Sequence, residues 1–204
     1  MIWLDFRSSE PYHSTMSTTP PAHMDTPENR FLWQRNVRDQ YKSVSTEDIK
    51  NDLKTKALPC AVLVQNIEHD FNIGTIMRSA NAFGIFDFYY FGDRKIDRRG
   101  CCGSYHYQNV NHIKHIEDVK KLKEKYTFVG MENNTSRGSV DIRKYKWQSN
   151  SMIVIGEEKD GITDELLDLC DDLVEIPISG SVRSFNAGVA SSIAFYDYVN
   201  KTQW

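Results

Sequence analysis

From Cys60 onward the chain alternates short apolar runs with helix-like segments, and this alternation limits the fold more than any other feature. CAVLVQ is followed by the helical pattern NIGTIMRSANAF, closed by Gly84. FDFYYF precedes EDVKKLKEKY, and then come TFVGM, MIVIG with a short TDELLDLC helix, LVEIP, and the long helical pattern SFNAGVASSIAFYDYVNK. A strand that is wet on one side alternates apolar and polar side chains, because successive side chains point to opposite faces. These runs are apolar throughout, so they predict strands covered on both faces. The expected fold is α/β, a mostly parallel sheet flanked by helices.

Upstream of Cys60 the pattern changes. Ser8–Pro27 is rich in Ser, Thr and Pro and poor in apolar residues, too few to offset the entropy of ordering, so residues 1–27 are expected to be a flexible tail. ENRFLWQRNVRDQYKS places Leu32, Trp33, Val37 and Tyr41 near helical spacing, and Ser45 with Asp48 resembles a capping box opening a second helix through about Lys56. Residues 28–56 thus form an expected helical extension, and 57–204 the main domain. The net charge of −3 means that a nucleic-acid partner would be held by a local basic patch, not by a cationic surface at large. The four cysteines form no CxxC pair and no secretory leader precedes them, which points to reduced thiols in a cytoplasmic protein. No apolar run approaches the ~20 residues of a membrane span.

Ligands of open α/β sheets bind beyond the carboxyl ends of the strands, so the residues after each strand matter most. Three such places are unusual. After CAVLVQ come Asn66, Asn72, Gly74 and Arg78; after MIVI come Gly156, Glu157, Glu158 and Gly161; after LVEIP come Ser179, Gly180, Ser181, Arg183, Ser184 and Asn186. Each has a plain reading: Asn72 or Ser184 as a helix N-cap, GEEKDG as an acidic turn or a weak Mg²⁺ site. Together they set glycine and unpacked polar groups on one edge of one sheet, where helix entrances present unpaired N–H groups to a ligand.

These residues resemble the SpoU-type, TrmH-like RNA 2′-O-ribose methyltransferases of the SPOUT superfamily. NIEHDFNIGTIMRSANAFG is similar to the family's first motif, IVIGEEKDGIT to its second and IPISGSVRSFNAGVASS to its third, in the family's order, over roughly Ala57 to Asn200. Phe185 stands where leucine is usual. The resemblance implies methyl transfer from S-adenosylmethionine to a ribose 2′-hydroxyl, in a domain whose C-terminal part forms a deep trefoil knot. It implies catalytic roles for Arg78, Asn72, Glu158, Ser184 and Asn186, with Gly130, Met131, Gly156, Ile176, Ser184, Phe185 and Asn186 around the cofactor. Arg78 is the implied base or orienter. A guanidinium keeps its proton at neutral pH, so polarising the hydroxyl or holding a neighbouring phosphate suits it better.

Between FDFYYF and the next helix, GDRKIDRRGCCGSYHYQNV gathers Arg94, Lys95, Arg98 and Arg99 beside Tyr105, His106 and Tyr107. A solvated loop would carry charges too, but cations interleaved with aromatics suit phosphates and unstacked bases, and the family uses this region against tRNA or rRNA. The resemblance further implies a homodimer, and the last helix has apolar and aromatic residues on more than one side, from Ile193 to Val199. No metal site is expected. Two other readings remain: an RNA-binding relative without activity, against which the presence of Arg78, Glu158 and Asn186 counts, and a Mg²⁺-dependent nucleotide hydrolase, which would need the phosphate-binding loop this chain lacks.

Overall fold

The computed structural model describes Thr26 and residues 34–65, 70–93, 96, 98–133, 136–157 and 160–203. The side chains of Asp70, Phe71 and Arg99 are outside the description, as are Leu32 and Trp33. The chain divides into two units, residues 1–43 and 44–204.

In the first unit the expected helix over 28–43 is absent from its described part, which holds bends and one 3-10 turn, Asp39–Tyr41. Local side chains fold this stretch back on itself instead. Arg35 Nη2 donates to the carbonyls of Tyr41 at 2.9 Å and Lys42 at 3.1 Å, and Lys42 Nζ donates to the Arg35 carbonyl at 2.6 Å.

The second unit opens with α1 (Thr46–Thr55), whose N-cap Ser45 accepts from the Asp48 N–H at 3.1 Å. The Asp48 carboxylate accepts a hydrogen bond from the Ser45 hydroxyl at 2.7 Å, so the capping box forms in a modified way. Then follow β1 (Ala61–Gln65), α2 (Asp70–Ala82), β2 (Asp87–Phe91), β3 (Asn109–Ile113), α3 (Ile116–Lys121), β4 (Thr127–Met131), β5 (Val140–Asp141), β6 (Ser151–Ile155), α4 (Asp164–Leu167), β7 (Asp172–Glu175) and α5 (Ala187–Thr202). The strands form one sheet in the order β3-β2-β1-β6-β4-β7-β5, every pair parallel, as the apolar runs lead one to expect. Gly84 takes a left-handed φ of 77° just past α2, where a side chain would be strained.

The two faces of the sheet carry separate cores. Val62, Val64, Phe88, Ile153 and Ile155 pack with Ile73, Ile76 and Met77 of α2 and Ala194, Phe195 and Tyr198 of α5. Their strand neighbours Ala61, Leu63, Met152 and Val154 turn the other way, onto Val119 of α3 and Leu166 and Leu167 of α4. This double cover is why the runs do not alternate; full burial of each such side chain stabilises by about 1.5–3 kcal/mol. The segment before β6 straps down α5: Trp147 Nε1 donates to Asp197 at 2.8 Å and Tyr198 Oη to the Ser149 carbonyl at 2.6 Å.

Two strands, β3 and β5, lie where the sequence suggested loops. Both are edge strands, and β3 is only half-buried, so neither needs a continuous apolar run. β5 follows β4 in the chain yet pairs on the far side of β7, so the β4–β5 connection has to pass β7.

Candidate functional site

At the carboxyl ends of β4, β6 and β7 the sheet opens into a cleft of about 400 Å³. Met131 and Glu132 line it from the end of β4, Ile155 and Gly156 from β6, and Val174 to Ile176 from β7. The stretch leading into α5 adds Arg183, Ser184 and Phe185.

Backbone close approach shapes this cleft. Glu157 N donates to the Gly161 carbonyl at 2.9 Å and Gly161 N to that of Glu157 at 3.0 Å, closing the turn after β6. A Cβ on Gly156 would overlap the Gly161 carbonyl and Ile162 N, so only glycine admits this turn. The Glu132 carboxylate accepts from Ile162 N at 3.1 Å and Asn133 N at 2.9 Å, which ties the end of β4 to that turn. Asn133 Nδ2 donates to the Arg183 carbonyl at 2.5 Å and so anchors the third motif. Gln65, buried at the end of β1, accepts from Thr163 N at 3.0 Å. None of Glu132, Asn133 and Gln65 belongs to a motif; their only sequence signal is a polar residue directly after, or last in, an apolar run.

Of the residues expected around a cofactor, Met131, Gly156, Ile176, Ser184 and Phe185 line the cleft. Gly130 and Asn186 are not among its lining residues. Gly130 lies one layer behind, where a Cβ would press on Leu173, Cys170 and Ile162. Asn186, not Ser184, caps α5: its Oδ1 accepts from Gly188 N at 3.0 Å and Val189 N at 3.3 Å. Its Nδ2 donates to Asn72 Oδ1 at 3.0 Å, which joins the third motif to the first. Asn72 therefore sits inside α2 as a partner of Asn186 and is not the N-cap of that helix.

Arg78 lies elsewhere on α2. Six residues from Asn72, it is turned about 240° around the helix axis. It shares a face with Gly74, four residues earlier, and that face meets the 3-10 turn Arg98–Cys101: a Cβ on Gly74 would come 2.6 Å from the Gly100 carbonyl carbon. Arg78 is exposed, and its Nη1 lies 3.5 Å from Cys102 Sγ. Cys102 itself holds a left-handed φ of 48°. In the same loop the Arg98 guanidinium stacks 3.8 Å from the centre of the Tyr105 ring and donates to its hydroxyl at 3.0 Å. Glu158, Arg94 and Lys95 lie outside the described residues.

The cysteines are free thiols; burial pushes Cys60 and Cys170 up to about 12, which leaves both unreactive at neutral pH. Among the described residues no helix is long and apolar enough to cross a membrane.

Residues 59–196 match the SpoU rRNA Methylase family. The chain belongs to this family. Among its SpoU-type relatives, the 23S rRNA (guanosine-2′-O-)-methyltransferase RlmB of Vibrio parahaemolyticus is 27% identical over 167 residues, covering 78% of this chain and 66% of that protein. The tRNA (guanosine(18)-2′-O)-methyltransferase of Escherichia coli K12 is 30% identical over 146 residues, covering 70% of this chain and 63% of that enzyme. The chain thus spans just under two thirds of the length of either. The SpoU methyltransferase AviRb of Streptomyces viridochromogenes, solved in complex with the cofactor AdoMet, superposes with a TM-score of 0.63 at 26% identity, over 69% of this chain and 59% of that one. The TrmH/SpoU tRNA modifying enzyme of A. aeolicus, at 21% identity and a TM-score of 0.66 over 76% of this chain and 81% of that one, shares the fold.

Proposed function

We propose that this SpoU-family chain transfers a methyl group from S-adenosylmethionine to a ribose 2′-hydroxyl of tRNA or rRNA, with residues 57–204 as the catalytic domain. The observation that carries this reading is the cleft itself, built at the ends of three parallel strands and bonded through Asn186 and Asn72 to the helix that bears Arg78. The relatives named above act on these RNA classes, and AviRb binds this cofactor.

The lining suits such a molecule. About 400 Å³ lies within the range of small-molecule sites, and Met131, Ile155, Ile176 and Phe185 offer apolar walls to an adenosine beside the hydroxyl of Ser184. When bound, S-adenosylmethionine supplies an electrophilic methyl on a sulfonium. The remaining work falls to the chain. Ser184 in the cleft and the bonded pair Asn186–Asn72 orient the ribose, the same task is assigned to Glu158, and Gly130 lies behind the cofactor wall. Arg78 brings a planar fork of N–H donors and no acceptor, so it orients and polarises the 2′-hydroxyl or holds the adjoining phosphate from the RNA side. Arg98, stacked on Tyr105, contacts the RNA with Arg94, Lys95 and Arg99, since a cation over an aromatic ring serves phosphates and bases alike.

The same reading includes a homodimer, a trefoil knot and a cytoplasmic location beside tRNA and ribosomes. The dimer is supported by Val189 and Tyr196, large side chains exposed on α5, the second of them against the ring of Phe83. The knot is supported by the crossing of β7 by the β4–β5 connection, around the strand that leads to α5. A thermal-shift scan tests the cofactor: S-adenosylmethionine is expected to raise Tm and ATP with Mg²⁺ to leave it unchanged, and the reverse pattern would favour a hydrolase. In sedimentation equilibrium the expected mass is about twice 23.6 kDa; a mass of 23.6 kDa at all concentrations contradicts the dimer.

A further inference from the structure

The charges lining the cleft are unequal. Glu132, Glu157, Asp160 and Glu175 line it, and Arg183 is the one cation among its described lining residues. Two of these acids already have partners within the fold: Glu132 accepts from two backbone N–H groups, and Glu175 accepts from Ser139 Oγ at 2.7 Å. Arg183 differs. Its backbone is fixed through its carbonyl by Asn133, while its guanidinium makes no hydrogen bond or ion pair with the described residues. The next residues, Ser184 and Phe185, line the same cleft, so this part of the chain is held at the cleft with one charged group left for a ligand.

The charges of the cofactor proposed above complement this lining. Its ammonium and sulfonium suit an acidic wall. Its single anion, the α-carboxylate, would be repelled by four carboxylates unless a cation met it, and a guanidinium meets a carboxylate with two parallel hydrogen bonds. Building on that cofactor reading, we infer that Arg183 binds the α-carboxylate and so selects ligands that carry the amino-acid end. An RNA phosphate is the other anion at hand, but the acids that line the same cleft oppose the approach of a polyanion.

Isothermal titration of wild type, Arg183→Ala and Arg183→Lys with S-adenosylhomocysteine and with 5′-methylthioadenosine, which lacks the amino-acid end, separates the outcomes. Arg183→Ala is expected to weaken S-adenosylhomocysteine about ten-fold or more, with Arg183→Lys between it and wild type, and to leave 5′-methylthioadenosine unchanged. Unchanged binding of S-adenosylhomocysteine overturns the inference. So does an equal loss for both ligands, or a loss of RNA affinity alone. If wild type binds neither ligand, the cofactor reading itself fails and the role of Arg183 falls with it. Circular dichroism of both variants confirms that the fold is kept.

Discussion

Glu132 ties the end of β4 to the turn after β6, and the cleft depends on that tie. Its carboxylate holds two backbone N–H groups, and charge-assisted bonds of this kind are each worth about 1.5–3 kcal/mol. Glu132→Ala is therefore expected to loosen the Gly156–Gly161 turn and weaken S-adenosylmethionine at least ten-fold in isothermal titration; wild-type affinity would show that the turn holds its shape alone. The motif residues around it were legible in the sequence as residue types, but their partners were not. Ser184 and Asn186 are both good caps by type, and only the entry path of α5 decides for Asn186. Asn72 read as a helix cap, and its bond to a residue 114 positions away leaves no local trace.

Among the elements, α2 is placed by what it lacks. Gly74 lets the helix touch the backbone of Gly100, and so sets Arg78 beside Cys102 and the loop that carries Arg98. Gly74→Ala would overpack this contact, at a typical cost of about 1–3 kcal/mol, and is expected to lower Tm by several degrees and to reduce transfer more than cofactor binding. Unchanged Tm would mean that the loop yields without resistance. The strands β1, β4 and β6 were legible because burial on both faces demands continuous apolar runs, and β2 and β7, less fully covered, still carry short apolar or aromatic runs. β3 and β5 were not, since an edge strand needs no such run. The apolar spacing over 28–43 suggested a helix, but hydrogen bonds between Arg35 and Lys42 gave its described part another course.

For the molecule as a whole, stability toward acid rests in part on Asp87, at the amino end of β2. Burial alone would raise its pKa, but hydrogen bonds from Asn109, Tyr126 and Lys125 outweigh that and hold it below the usual value. A depressed carboxylate contributes stability above its unfolded pKa of about 3.9, and the contribution is lost as pH falls through the lower folded value. Asp87→Asn is expected to be less stable than wild type at pH 6 in urea titration, with the gap narrowing below about pH 4; a constant gap down to pH 2 would contradict this linkage. The central claim is transfer to a ribose hydroxyl, and it can be read in one assay. The protein and its Arg78→Ala variant are incubated with methyl-labelled S-adenosylmethionine and tRNA or rRNA from cells lacking the gene. The RNA is then digested with a ribonuclease that requires a free 2′-hydroxyl. The expected label lies in resistant dinucleotides with wild type and is absent with Arg78→Ala, although that variant still binds the cofactor. Label in mononucleotides, which means a methylated base, or wild-type turnover by Arg78→Ala, would contradict the proposed reaction.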